Sequence, residues 1–501
     1  MKTLRLPFFA FLLSALYSCS SDPGETKVSE DQPKDKDLLE FTVEAGTTYL
    51  QGAYVTSMAT PFSDNAIANM FDNDSATAWT TMKGSGPDEG CMLYFDEETF
   101  VKEIQIAQPT GSQFASIKTV TVYGNGKNLG DFDASKPIAV GKEISSLFIK
   151  VKETDAEKTE RYSPEEEVDE EITSFSADKS VGIARLTIIG ENGELKLQPP
   201  VSVIAGVSAS TTLEPEAAYN VGNLFDSRRE MGWAEGNTET SGENETITLK
   251  FNKKVNLTGI EIWNGFQRSE KHFSANARVK SLTVEAIGGE GKASTLELPD
   301  SATPILLKLT ESLLAKEFRI TVKEVYPGEK YKDLVISEIR LYSGDVPFVV
   351  TLSDEEKRIA ATKTAVNGTV MEDFLDRKIS YSVSYGFNSY YSASRSVSFR
   401  SNNTFVMYTQ TYNDDQSVKD TLEIVADGNW ELIQANATTA KVKVFGKYQN
   451  LTDDYGFYKG RGEAAYEKIF SDIVTINNTS IQGEKFIEKI FLKAGKNEYP
   501  Y

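Results

Sequence analysis

The chain has a single histidine, His272, among its 501 residues. A Ser-His-Asp triad, a multi-histidine zinc site and a 2-His-1-carboxylate iron site all depend on histidine, and most of them need more than one. His272 is the only candidate base or ligand for any of them, which effectively excludes these classes of enzyme. Glycoside hydrolysis needs only carboxylates, and Asp and Glu number 74. No pair of them lies in a recognised catalytic motif, so we expect no enzymatic activity.

Cysteine and positive charge are also scarce. The only cysteines are Cys19 and Cys91, and 53 basic residues against 74 acidic ones give a net charge of -21. A charge of this sign disfavours nucleic acid and anionic membrane surfaces as partners. If Cys19 is modified at the mature N-terminus, Cys91 has no partner for an intrachain disulfide. Stability is then expected to come from hydrophobic cores.

Long hydrophobic runs are missing after the first eighteen residues. The chain begins with Lys2 and Arg5, followed by an apolar run of about eleven residues from Leu6 to Leu16. A membrane-spanning helix needs roughly 20 apolar residues, whereas a basic start, a short apolar run and small residues before a cleavage site are typical of a secretory signal. Residues 1–18 are predicted to be this signal.

Cys19 directly follows the signal, and residues 20–36 are almost entirely polar. Leu16-Tyr17-Ser18-Cys19 resembles the lipobox of bacterial lipoproteins. The resemblance implies that Cys19 carries acyl chains such as palmitate, and two or three chains suffice for stable anchoring. The alternative is ordinary cleavage beside an incidental cysteine. Residues 19–40 are expected to form a flexible tether, with the protein in the cell envelope at the outer membrane or cell surface and in contact with the membrane only through its lipid.

An internal repeat is the next feature of the mature chain. Asn69-Met70-Phe71-Asp72 and Asn223-Leu224-Phe225-Asp226 are each followed, after six further residues, by a tryptophan, Trp79 or Trp233. The stretches that follow alternate apolar and polar residues in the same order, as half-buried antiparallel strands do. These stretches are 101–106, 117–122, 147–153 and 183–188 in the first copy, and 255–262, 279–284, 318–324 and 336–341 in the second.

The repeat and the composition predict an all-β protein of about three domains. Residues 41–196 and 200–345 are predicted to be tandem β-sandwiches, and residues 346–501 a C-terminal antiparallel β-meander or small barrel. A helix is expected near Ser353 to Ala365. The strand order in this last region loosely resembles lipocalin-like small barrels. An acidic insertion in the first copy, Glu165 to Glu171, is interpreted as a solvated loop.

Five ordered blocks in the second copy carry a family resemblance: 223–226, 232–236, 263–266, 276–280, and 326–333 followed by 336–339. They are similar to those of a discoidin-type, galactose-binding-like jelly-roll domain, and more closely to the variant called the NADase-type glycan-binding domain. The first copy lacks the Asn-Gly block and the Tyr-rich block. It therefore resembles a diverged relative.

The resemblance implies that loops at one end of the second sandwich bind a ligand, since loops on a rigid scaffold usually carry binding residues. The predicted aromatic plates are Trp233, Phe266, Tyr326 and Tyr331. The predicted hydrogen-bonding residues are Glu235, Asn264, Arg268, Asn276, Arg278 and Asp333. Two alternatives stay open: Trp233 is a core residue, and Asn264-Gly265 is a turn that requires positive φ.

Related jelly rolls hold a structural Ca²⁺ with an Asp after Phe and a Glu near the last strand. The second copy has Asp226 and Glu338 at these positions, and both are oxygen ligands of the kind that Ca²⁺ prefers. In the first copy Arg185 stands where Glu338 stands. An ion pair between Asp72 and Arg185 is predicted to replace the metal there, and no other cofactor is expected.

Together these features predict a non-catalytic surface or outer-membrane lipoprotein that binds carbohydrate through the loops of its second jelly roll. Its partner would be a glycan or a glycosylated surface. The alternative is an adhesin or envelope structural protein that binds a protein partner, because discoidin-like folds also bind proteins and lipids.

Overall fold

The computed structural model describes residues 36–41, 45–55, 67–87, 89–156, 159–163, 170–175, 179–214, 216–386, 391–413, 422–451, 466–485, 487 and 490–491. Cys19, the signal and most of the tether lie outside these residues. The prediction of a flexible tether is wrong for Leu39, whose N–H donates to the Lys254 carbonyl oxygen at 2.8 Å and whose side chain packs on the core of the second sandwich. In the part of the chain that is described, no helix is long and apolar enough to cross a membrane. The prediction of an all-β fold built on jelly-roll sandwiches is confirmed.

The first sandwich buries one hydrophobic core, in which Trp79, Cys91 and Leu147 are fully covered. Burial raises the pKa of the Cys91 thiol to about 12, so the thiol stays protonated. The strands pair in the order β11-β10-β3-β6-β4-β5, with β1 between β3 and β12, and β2 pairs separately with β9. A 3-10 turn spans Ile67–Met70. The strands are β1 (Thr48–Val55), β2 (Trp79–Thr80), β3 (Gly90–Ala107), β4 (Ile117–Gly124), β5 (Lys127–Asp133), β6 (Ile138–Thr154), β9 (Gly182–Ile183), β10 (Arg185–Gly190), β11 (Gly193–Glu194) and β12 (Leu197–Gln198), while β7 and β8 belong to another sheet.

The second sandwich has its own core around Trp233, Leu249 and Phe318. Its strands pair in the order β14-β19-β20-β13-β15-β18-β16-β17, and β15 also pairs with β19, so that four strands close into a ring. The strands are β13 (Val201–Ala209), β14 (Trp233–Ala234), β15 (Thr246–Asn264), β16 (Arg278–Ile287), β17 (Ser294–Glu297), β18 (Ile305–Tyr326), β19 (Val335–Ser343) and β20 (Val346–Leu352). Helices α1 (Glu216–Tyr219) and α2 (Glu270–Ala275) and a 3-10 turn (Val221–Phe225) lie between strands.

The internal repeat extends to individual hydrogen bonds. Asn69 Nδ2 donates to the carbonyl oxygen of Ala78 at 3.2 Å, and Asn223 Nδ2 donates to that of Gly232 at 3.1 Å. Both carbonyls directly precede the repeat tryptophan, and both tryptophans are completely buried. The shared spacing thus reflects a loop that is tied in the same way in each copy.

The first long strand of each copy, β3 or β15, continues through a short charged segment without ending. Between Tyr94 and Thr99 in β3, and between Lys250 and Val255 in β15, the pairing register shifts. Such irregularities bend a strand without ending it. One strand can therefore contribute to both layers of a sandwich, and the predicted stretches 101–106 and 255–262 form the second halves of these two strands.

The C-terminal region forms an antiparallel meander in chain order from β21 to β28. Its core includes Phe399, Phe405 and Trp430, together with Val366 from α3 and Met371 from a 3-10 turn. Helix α3 (Ser353–Val366) confirms the predicted helix. The strands are β21 (Arg377–Gly386), β22 (Tyr391–Phe399), β23 (Thr404–Asn413), β24 (Leu422–Ala435), β25 (Thr439–Leu451), β26 (Tyr466–Asn477), β27 (Ser480–Gly483) and β28 (Ile490–Phe491), and the 3-10 turn is Val370–Asp373.

The acidic insertion of the first copy is partly β-structure. β7 (Thr159–Ser163) and β8 (Glu170–Phe175) pair with each other, and β8 also pairs with β21 of the C-terminal sheet, from Tyr381↔Phe175 to Gly386↔Glu170. Residues 165–169 of the insertion lie outside the described residues. The prediction of a loop is wrong for Glu170 and Glu171, which lie in β8. Their backbone hydrogen bonds to β21 complete an edge that would otherwise be open.

The two sandwiches meet at Arg340 on β19. Its side chain is 2 % exposed, and its Nε donates to Glu261 Oε2 at 2.6 Å within the second sandwich. Its Nη1 and Nη2 donate to the Leu50 carbonyl oxygen and to Asp96 Oδ1 of the first sandwich, both at 3.0 Å. Tyr342 donates its hydroxyl to the same Glu261 oxygen at 3.0 Å. One buried guanidinium therefore joins strands of both sandwiches.

Candidate functional site

The loops that carry the predicted ligand residues meet at one end of the second sandwich. The backbone of Ala277 donates to the Asp333 carbonyl oxygen at 3.0 Å, and Tyr331 donates to that of Ala275 at 2.8 Å. Glu235 N likewise donates to the Leu334 carbonyl oxygen at 3.1 Å. The segments around 235, 265–277 and 327–334 thus form one connected surface.

Arg278 braces this surface from beneath. Its Nε and Nη2 donate to the two carboxylate oxygens of Asp300 at 2.8 and 2.7 Å. Its Nη1 donates to the carbonyl oxygens of Asn276 and Pro327 at 2.8 and 3.1 Å. A guanidinium has five N–H groups, so these four bonds leave at most one for a ligand. Arg278, which is 7 % exposed, thereby ties three loops together.

The side-chain amide of Asn264, at the end of β15, makes two hydrogen bonds to the backbone of β16 like those that a neighbouring strand would make. Its Nδ2 donates to the Val279 carbonyl oxygen at 2.7 Å, and its Oδ1 accepts from the Val279 backbone N–H at 2.9 Å. Gln108 makes the same pair of bonds with Ile117 in the first copy, at 2.9 and 2.7 Å. The neighbouring Gly265 has φ +72, which agrees with the turn alternative.

Glu235 is a buried carboxylate within the loops. It is 1 % exposed, and its Oε2 accepts from the backbone N–H of Asn237 at 2.5 Å. Its Oε1 accepts from the Leu334 N–H at 3.4 Å. Burial raises the pKa of this carboxyl group, whereas the two backbone donors lower it. The side chain fixes the loop after β14 to the segment before β19.

Three of the four predicted aromatic plates are engaged inside the fold. Trp233 is 0 % exposed and donates its indole N–H to the Thr211 carbonyl oxygen at 3.0 Å, as the core alternative requires. Phe266 is 9 % exposed and packs edge-on against His272 at 5.3 Å between ring centroids. Tyr326 is half-buried and donates its hydroxyl to the Leu298 carbonyl oxygen at 2.9 Å.

Tyr331 is the predicted aromatic that faces solvent, with 44 % of its surface exposed. The Lys330 ammonium lies 4.8 Å from its ring centroid. Arg268 and Asp333 are half-buried on the same set of loops. Asn276 is buried and donates its side-chain amide to the His272 carbonyl oxygen at 2.8 Å, which caps α2. An exposed ring beside polar groups is therefore the chemistry that this surface offers.

Sequence reasoning missed several residues that hold the loops. Asp300 neutralises Arg278, but no sequence pattern links two residues that are 22 positions apart. Glu245 accepts hydrogen bonds from the hydroxyl groups of Ser210 and Thr211. Glu245 directly precedes β15, as Glu89 precedes β3, and Glu89 accepts from Ser85 Oγ at 2.7 Å. An alignment of the two copies places Glu245 opposite Glu89, and this shared glutamate could have identified the position from the sequence.

Asp226 and Glu338 face each other, as the calcium prediction requires. Both carboxylate oxygens of Glu338 are buried without a hydrogen-bond partner among the described residues. Burial is the main cause that raises the pKa of both carboxyl groups, that of Asp226 to about 7, and the negative charge of Asp226 raises the pKa of Glu338 further. A cation would relieve this arrangement, so the donor type fits Ca²⁺. The two carboxylates supply at most four of the six to eight oxygens that Ca²⁺ takes, and no group of three acidic, His or Cys ligands lies in the described ranges.

Arg229 contributes positive charge to this pair from the sandwich interface. Its charge lowers the pKa of Glu338, against the effect of burial. Its guanidinium stacks 3.7 Å from the Tyr94 ring centroid and donates to Gln51 Oε1 at 2.5 Å, both in the first sandwich. The first sandwich thus holds a basic residue beside the candidate metal ligands.

The ion pair predicted between Asp72 and Arg185 is wrong. Arg185 Nη2 donates to Glu194 Oε1 at 2.7 Å across the β10–β11 turn. Asp72 accepts from the Asp74 backbone N–H at 2.8 Å and from Thr77 Oγ1 at 2.7 Å. Asp72 and Arg185 are both exposed, so each satisfies its charge locally where no burial forces the two together.

No curated protein matches the chain. Among solved structures, the chain is similar to the arabinofuranosyltransferase AftD from Mycobacteria (TM-score 0.25, 10% identity, 80% of this chain and 38% of that one). It is also similar to the CBM32-1 and CBM32-2 domains of Clostridium perfringens ZmpB in complex with GalNAc (TM-score 0.22, 11% identity, 59% of this chain and 90% of that one). A third is the family 32 carbohydrate-binding module of Streptococcus pneumoniae EndoD (TM-score 0.24, 12% identity, 29% of this chain and 99% of that one). These TM-scores are too low to transfer any property to this chain. The match that falls on the candidate site is one to a family model, the NAD glycohydrolase translocation F5/8 type C domain, over residues 200–342.

Proposed function

We propose that the protein binds carbohydrate through the loop end of its second jelly roll, with Tyr331 as the platform. The single observation that carries the proposal is the exposed Tyr331 ring on a surface whose other predicted ligand residues are largely committed to holding the loops. The match of residues 200–342 to an F5/8 type C domain covers the same loops and supports the proposal.

A sugar ring needs an apolar plate and fixed polar groups. The phenol ring of Tyr331 provides a flat apolar face with a polar tip. Asp333 provides acceptors for sugar hydroxyls, and Arg268 provides donors. Because Arg278 and Asn264 hold the loops rigid, binding would cost little ordering entropy at this surface.

The test uses the mature full-length chain on a glycan array, followed by calorimetry with any glycan that binds. Tyr331→Ala is expected to weaken binding at least tenfold, with an unchanged melting temperature because the side chain is exposed. Ile433→Ala is the matched control, since Ile433 is an exposed apolar residue of the C-terminal sheet (51 %). Equal binding by wild type and Tyr331→Ala, or no binding across broad glycan classes, would contradict the proposal.

A protein partner is the other outcome to be distinguished. Capture of a partner from envelope or host extracts that survives removal of its glycans would favour an adhesin or an envelope structural protein. If deglycosylation abolishes capture, and Tyr331→Ala also fails to capture the partner, the result would favour carbohydrate binding. We propose that the protein is not an enzyme, and hydrolysis of glycan or NAD by the pure chain would overturn this.

We further propose that Cys19 is lipidated and anchors the protein in the cell envelope, at the outer membrane or cell surface. The support is the signal-like first eighteen residues followed by Leu16-Tyr17-Ser18-Cys19. Metabolic labelling with palmitate should mark the wild type and not Cys19→Ala. Label on the variant would contradict the assignment, and protease treatment of intact cells would distinguish a surface location from a periplasmic one.

A further inference from the structure

Two buried arginines of the second sandwich present the same edge of the guanidinium to a carboxylate. Arg278 donates from Nε and Nη2 to Asp300 at 2.8 and 2.7 Å. Arg340 donates from Nε to Glu261 at 2.6 Å, and its Nη2 contacts the same oxygen. The two N–H groups on this edge are parallel and match a pair of oxyanion oxygens. In both places the chain itself supplies the anion.

Arg400 is a buried arginine whose corresponding edge is not filled by the chain. It lies just after β22 and is 9 % exposed. Its Nε and Nη2 are both buried without a hydrogen-bond partner in the part of the chain that is described. Its backbone is fixed, because its N–H donates to the Thr404 carbonyl oxygen and its own carbonyl accepts from the Trp430 indole, both at 2.9 Å. These two hydrogen bonds hold the backbone of Arg400 in place, and with it the origin of the side chain.

A second donor without a partner lies two residues before Arg400. Ser398 is 0 % exposed, and its hydroxyl has no hydrogen-bond partner among the described residues. The hydrogen bond from the Arg400 N–H to Thr404 extends the pairing of β22 with β23 by one residue, so the alternation of the strand places Ser398 and Arg400 on the same side of the sheet. That side is opposite to the one that carries Val397 and Phe399 into the C-terminal core.

The first sandwich covers this face. Met82 packs against Val406, which pairs with Ser398 across the sheet. The backbone of Lys378 on β21 donates to the Lys83 carbonyl oxygen at 2.8 Å. The donors of Arg400 and Ser398 are thus enclosed between the loop after β2 and the C-terminal sheet.

The charged residues near Arg400 do not supply a hydrogen-bond acceptor for its Nε and Nη2. Burial, together with the positive charge of Arg228 from the second sandwich, lowers the pKa of Arg400 to about 10. Glu89, Asp376 and Glu355 act in the opposite direction. These three carboxylates already accept hydrogen bonds, from Ser85 Oγ, the Ser401 backbone N–H and Asn402 Nδ2, respectively.

We propose that the Nε–Nη2 edge of Arg400, together with the Ser398 hydroxyl, binds a small oxyanion at the junction of the first sandwich and the C-terminal sheet. The ligand class is an anion with two adjacent oxygens, either a small carboxylate or an inorganic tetrahedral oxyanion. Because the site is enclosed, the anion would be bound as the first sandwich packs against the C-terminal sheet during folding. It would then stabilise the contact between these two parts of the chain. Native proteins rarely leave several buried donors unpaired at one place.

The test measures thermal unfolding of the mature chain in acetate, phosphate or sulfate, at constant ionic strength with chloride as reference. At least one oxyanion should raise the melting temperature of the wild type in a saturable way, by a few degrees, as expected for a ligand of the folded state alone. Acetate separates a carboxylate site from a tetrahedral one. Arg400→Met should remove the saturable rise. Arg319→Met, at a half-exposed arginine of β18, should keep it.

A second measurement does not depend on the folding of Arg400→Met. Wild-type protein is dialysed exhaustively and denatured, and the released anions are quantified by ion chromatography, with about one oxyanion per chain expected. Ser398→Ala should lower the apparent affinity at least threefold. The proposal is overturned if no anion is released and no saturable rise occurs, or if Arg400→Met and Ser398→Ala respond as the wild type does.

Discussion

Arg340→Met is expected to destabilise the full chain by about 3–5 kcal/mol, because it leaves the carboxylate of Glu261 buried without its cation. The side chains of Arg340 and Glu261 are 2 % and 7 % exposed, so solvent cannot replace the lost partner. The variant also loses the hydrogen bonds to the Leu50 carbonyl oxygen and to Asp96. Methionine keeps much of the volume, and the change therefore reports mainly on charge.

A double-mutant cycle separates the pair from its surroundings. Glu261→Met combined with Arg340→Met should recover at least about 2 kcal/mol of the single-variant loss, because an apolar pair has no buried charge to satisfy. Urea unfolding followed by tryptophan fluorescence is suitable, since the Trp263 ring lies 5.8 Å from the Arg340 guanidinium. Several domains need not unfold in one step, and each core holds a buried tryptophan, so each resolved transition is compared separately between the variants and the wild type.

Arg319→Met is the matched control. Arg319 pairs with Glu285 at 3.5 Å, and the two side chains are 42 % and 38 % exposed. An exposed pair of this kind contributes about 0–1 kcal/mol. If Arg340→Met costs no more than this control, the sandwich contact does not depend on the buried guanidinium and the reasoning is refuted.

Three further results are expected. Arg278→Ala should lower stability by about 1.5–3 kcal/mol in thermal unfolding, because charge-assisted bonds to Asp300 and to two loop carbonyls are lost, and an unchanged melting temperature would contradict the bracing role. Gly265→Ala should destabilise, since φ is +72 and a Cβ would lie 2.7 Å from Arg278 Cγ; wild-type stability would show that the turn relaxes. The raised pKa values of Asp226 and Glu338 mean that the folded state holds extra protons, so their contribution to stability is present below about pH 4, the ordinary range of carboxyl groups. The contribution of Asp226 is lost as the pH rises through about 7, and that of Glu338 is lost as the pH rises through its own raised pKa. Asp226→Asn should flatten that pH profile, and Ca²⁺ should raise the wild-type melting temperature more at pH 8 than at pH 5; a profile that Asp226→Asn leaves unchanged would count against the buried pair.

The sequence was informative wherever the pattern reflects burial along one strand. Alternation and the repeated Asn-x-Phe-Asp spacing located the strands and the tryptophans of both sandwiches. The alternative that Trp233 is core follows from this same logic, because a tryptophan at a fixed place in two diverged copies packs against what the copies share. The helix after Leu352 was also predictable from the acidic residues in its first turn.

Contacts between distant segments could not be read from the pattern. Arg340 lies between Ile339 and Leu341, so period-two alternation places it on the solvent face. It is buried because Asp96 and Leu50, which lie 244 and 290 residues earlier in the chain, cover that face. The brace between Arg278 and Asp300 depends in the same way on the course of a loop. For this reason the predicted ligand residues were chosen by type, while the structure shows which of them already have partners.

The pairing of β8 with β21 has a consequence for how the chain folds during its synthesis. The β7–β8 hairpin leaves the ribosome about 200 residues before the strand that completes it, as the register Tyr381↔Phe175 shows. Until then it presents an open edge on which another chain could pair. The run of acidic residues around Glu170 and Glu171 would repel a second copy of the same hairpin while it waits. A fragment that starts at residue 200 would lack the hairpin altogether and expose β21 instead, so the C-terminal sheet is best expressed together with the first sandwich.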